Sequence, residues 1–139
     1  MPDIVATHRL THEASMKMIA AGVRRAEELG VQVSLAVADR SCQLIAFLMM
    51  DGARVFSGRT TIKKAYTSAS QGLPTGYAEE ARVVSMQIRM DGDFTNVRGG
   101  FPIVVNGETI GAVAAGGASQ EEDVEVAKAA LAALGLPAA

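Results

Sequence analysis

Between Thr11 and Leu29 the apolar residues Met16, Ile19, Val23, Ala26 and Leu29 recur at steps of three and four, with Lys17, Arg24, Arg25 and Glu28 on the other side. That period predicts an amphipathic helix. Thr11 is placed to cap it, Glu13 suits the dipole of the first turn, and Gly30 is placed to end it. The next stretch, VQVSLAVADRSCQLIAFLMMDG, holds two apolar runs separated by Asp39, Arg40, Ser41 and Cys42. Turn-favouring residues between apolar runs predict a β-hairpin. Its first run, Val33 to Ala38, is nearly all small and apolar, as suits a central strand covered on both faces.

Residues 57 to 70, SGRTTIKKAYTSAS, fit a helix that starts near Ser57 and stops before Gly72 and Pro74. A second helical stretch runs roughly from Gly76 to Ile88. The segment RMDGDFTNVRGG that follows is a turn-rich loop, long enough in a small domain to suggest a functional role. Phe101 to Val105 and Glu108 to Ala115 then form a hairpin about Asn106-Gly107, a pair suited to the two positive φ angles of a type I′ turn. The chain closes on SQEEDVEVAKAALAALG, where Ser119 is a cap, three acidic residues occupy the first turns, and the alanine-rich body ends at Gly135. Two hairpins interleaved with helices predict an α+β fold with an antiparallel sheet and exclude a parallel doubly wound one.

Composition narrows the function. The 139 residues make one domain. Thirteen Lys and Arg oppose fifteen Asp and Glu, and no basic run is longer than two residues, which argues against nucleic acid or a membrane surface as partner. The N-terminus has neither an apolar h-region nor a small-residue cleavage site, so a cytoplasmic location is expected. One cysteine and two histidines are too few for a closed structural zinc site. Abundant alanine and glycine let helices sit close to a sheet and leave surfaces flat enough for subunits to meet.

In order along the chain, VSLAVADRSCQLIAFLMMDGA, the KKAYTSA helix, GGFPIVVNGETIGAVAAGGASQEED and the closing alanine helix resemble the GlcG/HbpS family, the haem-degrading or PduO C-terminal-like domain. The resemblance covers nearly the whole chain. It implies a profilin- or PAS-like antiparallel sheet of five strands flanked by helices, and assembly into a dimer, tetramer or octamer. Four strands are legible; a fifth would lie near Leu73 to Tyr77 or in the N-terminal tail. Relatives of this kind bind haem or a corrinoid as sensors or scavengers, and one acts as a hydroxylaminobenzoate lyase. Lys64, Ala65 and Thr67 match the family's K-A-x-T pattern, Asp51-Gly52 its D-G, Gly99-Gly100 with Pro102 its G-G-x-P, and Asp123 its acidic residue in the last helix. Two departures stand out: Gly116-Gly117-Ala118 replaces the usual S-G-G, and the loop MDGDFTNVR replaces a proline- and leucine-rich one.

Two functional readings follow. In the first the protein binds a small molecule, with haem or a related tetrapyrrole as ligand and cofactor. His12, ahead of His8, is then the candidate metal ligand, since the two share a face if the helix begins early. Lys64, Tyr66, Arg82, Arg89 and Arg98 are the groups suited to meet carboxylates. Gly99, Gly100, Phe101 and Gly117 mark the hairpin mouths, where bare backbone can face a ligand or another subunit, or simply shape the turns. Met49, Met50, Met86 and Met90 read chiefly as packing. In the second reading the protein is a cofactor-free lyase, deaminase or isomerase acting on a small aromatic acid. Lys64 and Tyr66, with Glu79 or Glu80, would be its acid and base, provided that they converge on one pocket.

Overall fold

The computed structural model describes residues 2–136. Four helices, α1 (His12–Leu29), α2 (Ser57–Gln71), α3 (Glu80–Arg89) and α4 (Gln120–Ala132), accompany strands β1 (Ser34–Asp39), β2 (Leu44–Met49), β3 (Gly100–Val105) and β4 (Glu108–Gly116). The strands form one antiparallel sheet in the order β2-β1-β4-β3. Val37 stands opposite Val113, and Val113 opposite Phe101, so the two hairpins join through β1 and β4. The expected α+β architecture is the one observed.

Local signals set the ends of the elements. The Thr11 side chain accepts from Ala14 N, and Gly30 closes α1 in the left-handed region at φ 72°. Ser119 and Glu122 make a reciprocal capping box on α4. Asn106 and Gly107 take φ of 50° and 79°, the positive pair of a type I′ turn. In the first hairpin the Asp39 carboxylate accepts from Ser41 N and Gln43 N, which holds Cys42 at φ 59°.

The sheet is covered by unlike layers. On one face α1 and α4 pack over Leu35, Val37, Ile103 and Val113, with Met18, Ile19, Val126 and Leu131 supplying the helical side. On the other face α2 lies on a floor of alanines, Ala36, Ala38 and Ala114, which Ala65 meets. Alanine against alanine brings the helix close and places its polar side chains at the sheet surface. The stripe buried on α2 is accordingly small and polar: Ser57, Gly58, Thr61, Ala65 and Ser68, with Lys64 beside it.

Several expectations change. The buried face of α1 is Ser15, Met18, Ile19, Gly22 and Ala26, while Met16 is 64% exposed. The small Gly22 sets that face, because a Cβ there would lie 2.8 Å from Leu35 Cδ2. Helix α3 starts at Glu80 rather than Gly76 and buries none of its residues. No fifth strand occurs among the described residues. The segment near Thr75 runs beside β3 through Thr75 N to Gly100 O (3.0 Å) and Gly100 N to Thr75 Oγ1 (3.0 Å), without forming a ladder. The N-terminal arm is tied to one side chain instead: the Glu108 carboxylate accepts from Thr7 Oγ1 (2.6 Å) and from the backbone His8 N (3.3 Å), and these bonds hold it below the usual glutamate range.

Candidate functional site

Two sites emerge along α2, one beside each half. The C-terminal half, with α3 and the loop after it, forms an apolar cleft. Its inner part, about 200 Å³, is lined by Tyr66, Thr67, Met86, Met90, Phe94 and Cys42. The outer part, about 680 Å³, shares Gln71, Met86 and Phe94 and adds Leu73, Tyr77, Glu79 and Arg82. Phe94 is buried, Thr95 N donates to Thr67 Oγ1 (3.1 Å), and Thr67 Oγ1 donates to Asp93 O (3.4 Å), so the loop after α3 is fastened to α2. Asn96 bonds both backbone groups of Ala78, which closes the base of α3. The cleft therefore has fixed ends and, in α3, a wall that is not packed into the core. Burial pushes the Cys42 thiol up, and the nearby Asp39 and Asp93 add to that, so Cys42 faces the cleft as a thiol.

Of the expected site residues, Tyr66, Glu79 and Arg82 line this cleft. Glu80 is exposed at the start of α3 and Arg89 at its end, neither of them lining it. His12 is the exposed first residue of α1, while His8 sits in the extended arm, so the two histidines do not share a helical face. Among the described residues, no three His, Cys, Asp or Glu side chains gather to hold a metal ion.

The N-terminal half of α2 carries a different arrangement. Lys64, 1% exposed, donates to Asp123 Oδ2 (3.1 Å) and to Ala115 O (2.9 Å). The other oxygen of Asp123 accepts from Ala118 N (3.1 Å). Burial pulls the Lys64 ammonium below its usual range despite the attraction of Asp123, and burial raises the Asp123 carboxyl despite the ammonium. Lys64 is thus not a free cation for a ligand carboxylate, and it does not share a cavity with Tyr66 as an acid–base pair would require.

The glycine pairs find their role here. A Cβ on Gly100 would lie 2.7 Å from Lys64 O, and one on Gly99 would lie 3.0 Å from Lys64 Nζ and 2.6 Å from Ala115 O. A Cβ on Gly116 would strike Thr61 Oγ1. Three of these mouth glycines make room for α2 and its buried lysine, and the space they leave is already filled. Phe101 is a core residue, 7% exposed, with the Lys128 ammonium over its ring. Arg98 reaches Glu121 at 3.8 Å, away from the cleft. Gly117, at φ 117°, lines a cavity beside Lys64 and Asp123. The pairing of Lys64 with Asp123 went unseen in the sequence, although the small-residue stripe from Ser57 to Ser68 signals the close packing that buries the lysine.

Comparison with known proteins bears on the fold and the family. Protein GlcG of Escherichia coli is 35% identical over 105 residues, covering 75% of this chain and 78% of that protein. A corrinoid adenosyltransferase PduO of Citrobacter freundii is 27% identical over 130 residues, which are 90% of this chain but 39% of the enzyme. Among solved structures, Klebsiella pneumoniae protein ORFY superposes with a TM-score of 0.89 at 25% identity, covering 99% of this chain and 98% of that one. A PduOC:heme complex superposes at 0.85 and 25% identity, covering 94% and 99%. The model of the family described as haem-degrading protein HbpS-like matches residues 10–132, and this chain belongs to that family.

Proposed function

We propose that this protein binds a small molecule in the α2–α3 cleft, and that the ligand is haem or a related tetrapyrrole. One observation carries the proposal: the cleft is apolar, lies in the volume range of small-molecule sites, and has a cation, Arg82, on its outer wall. The residues present fit such a ligand. Phe94, Leu73 and Tyr77 supply apolar wall, Arg82 suits a propionate, and Met86 and Met90 supply thioether donors. A relative of this fold has been seen with haem, which supports the reading. In this reading Met86 or Met90 would hold the iron, since both line the cleft and His12 does not. Titration with haemin is expected to give a saturable Soret shift whose position changes in Met86→Ala or Met90→Ala and is unaltered in His12→Ala. No shift at micromolar haemin would refute haem binding.

A second reading rests on Tyr66, Glu79 and Arg82 lining adjoining parts of one cleft. There Arg82 holds the acid group of a small aromatic substrate, and Tyr66 and Glu79 exchange protons with it. Turnover of 4-hydroxylaminobenzoate by haem-free protein, lost in Tyr66→Phe, would favour this reading over the first.

We also infer self-association into a symmetric oligomer. Strand β2 is a sheet edge whose Leu44, Phe47, Leu48 and Met49 are 37–41% exposed, an arrangement that association covers. Sedimentation as a 14.5 kDa species at micromolar concentration would refute it.

A further inference from the structure

A separate cavity of about 240 Å³ opens beside the N-terminal half of α2, with Phe56, Val97 and Ala118 as apolar wall and Lys64, Asp123 and Gly117 at its polar end. At that end the hydrogen bonds do not close. An ammonium carries three N–H donors. Lys64 Nζ has two acceptors among the described residues, Ala115 O and Asp123 Oδ2. One turn earlier on α2, and outside the cavity lining, the buried Thr61 Oγ1 has no hydrogen-bond partner among the described residues. Buried polar groups are almost always paired, so an open valence on a buried amine beside a cavity marks a place for a ligand atom. The backbone of Gly99 and Gly116 packs against the amine on one side, while Lys64 lines the cavity together with Gly117 and Asp123.

We infer that this cavity binds a small aldehyde or ketone with an apolar substituent, and that Lys64 forms a reversible Schiff base with it. The Asp123 carboxylate takes a proton from the Lys64 ammonium, which frees the amine lone pair. The amine nitrogen bonds to the carbonyl carbon, and after a proton shift from nitrogen to oxygen a neutral carbinolamine stands in the cavity. The Asp123 carboxyl returns its proton to the carbinolamine hydroxyl, the C–O bond breaks, and water leaves. The product is a protonated iminium beside the Asp123 carboxylate. One ammonium and one carbonyl become one iminium and one water, and the buried ion pair is present at both ends of the reaction. The environment favours the first transfer, since burial disfavours the charged form of both partners. The cavity, about 240 Å³ and open to solvent, has room for a ligand of the size of benzaldehyde.

The test uses the native chain, benzaldehyde and sodium cyanoborohydride at neutral pH, with the reduced adducts mapped by mass spectrometry of peptides. Lys64 is expected to gain one benzyl group at least severalfold faster than Lys17, Lys63 and Lys128, because burial disfavours its ammonium form and leaves more of its amine free to react. The Lys64→Met/Asp123→Leu double variant, which removes both charges together, is expected to keep its cooperative melt and the slow surface labelling while losing the fast adduct. Mapping on the native chain is decisive by itself. If Lys64 is unmodified, or modified no faster than the other lysines, it is only a structural partner of Asp123 and the inference is wrong.

Discussion

Asp123→Ala tests the buried pair directly. It leaves Lys64, 1% exposed, with Ala115 O as its remaining acceptor, and it deprives Ala118 N of its acceptor. Removing one partner of a buried ion pair costs about 3–5 kcal/mol, because the survivor stays desolvated. At roughly 3–4 °C per kcal/mol for a domain of this size, the melting temperature should fall by roughly 10–20 °C. Urea unfolding gives the free energy, and the Lys64→Met/Asp123→Leu double variant completes the comparison. With no buried charge, the double variant should lie within about 1 kcal/mol of the parent, or above it.

The pH dependence supplies a second readout. In Asp123→Ala the folded-state pKa of Lys64 lies below its ordinary 10.5, with desolvation no longer opposed by the carboxylate. Between those two values the unfolded chain binds more protons than the folded one, so stability rises with pH across that window. The single variant should therefore recover toward the double variant as pH climbs from neutral toward 10.5. A loss under about 1 kcal/mol, or no recovery relative to the double variant, would mean that Lys64 finds water or another partner, and would refute the reasoning.

The glycines make a contrasting pair. Gly100→Ala forces a Cβ to within 2.7 Å of Lys64 O and 3.0 Å of Thr75 Cγ2, and should cost about 1–3 kcal/mol in thermal or urea melts. Among the described residues nothing lies within 4 Å of the Cβ position of Gly107, which has only a positive φ to satisfy. Gly107→Asn should accordingly be tolerated, whereas Gly107→Val should lose about 1–3 kcal/mol to backbone strain. Equal tolerance of Ala at Gly100 and Asn at Gly107 would show that α2 can move off the sheet. Ser119→Ala removes one half of the capping box on α4 and should lower stability by about 0.5–2 kcal/mol, and an unchanged melt would mean that α4 is held by packing alone.

What the chain settles by itself is local. The capping of α1 by Thr11 and Gly30, the turn at Asn106-Gly107 and the capping box at Ser119 depend on bonds between residues a few positions apart, so their signals lie together in the sequence. The apolar run from Val33 to Ala38 likewise shows a strand covered on both faces, since burial on each side leaves no room for polar alternation. The pocket residues are a different matter. Tyr66, Glu79 and Arg82 can be picked out as chemistry-bearing side chains, but their sharing of one cleft depends on how the loop at Phe94 fastens α3 against α2. Lys64 looks like a surface cation until α2 settles on its floor of alanines, and its partner Asp123 stands 59 residues away on another helix. Gly99, Gly100 and Gly116 look like flexible hairpin mouths, and only the crossing of α2 over β3 and β4 shows what occupies the space beside them. Dihedral preference and capping act within a turn or two of the chain, whereas burial, ion pairing and close approach act between elements brought together by the sheet, so tertiary structure alone decided which of these residues would meet.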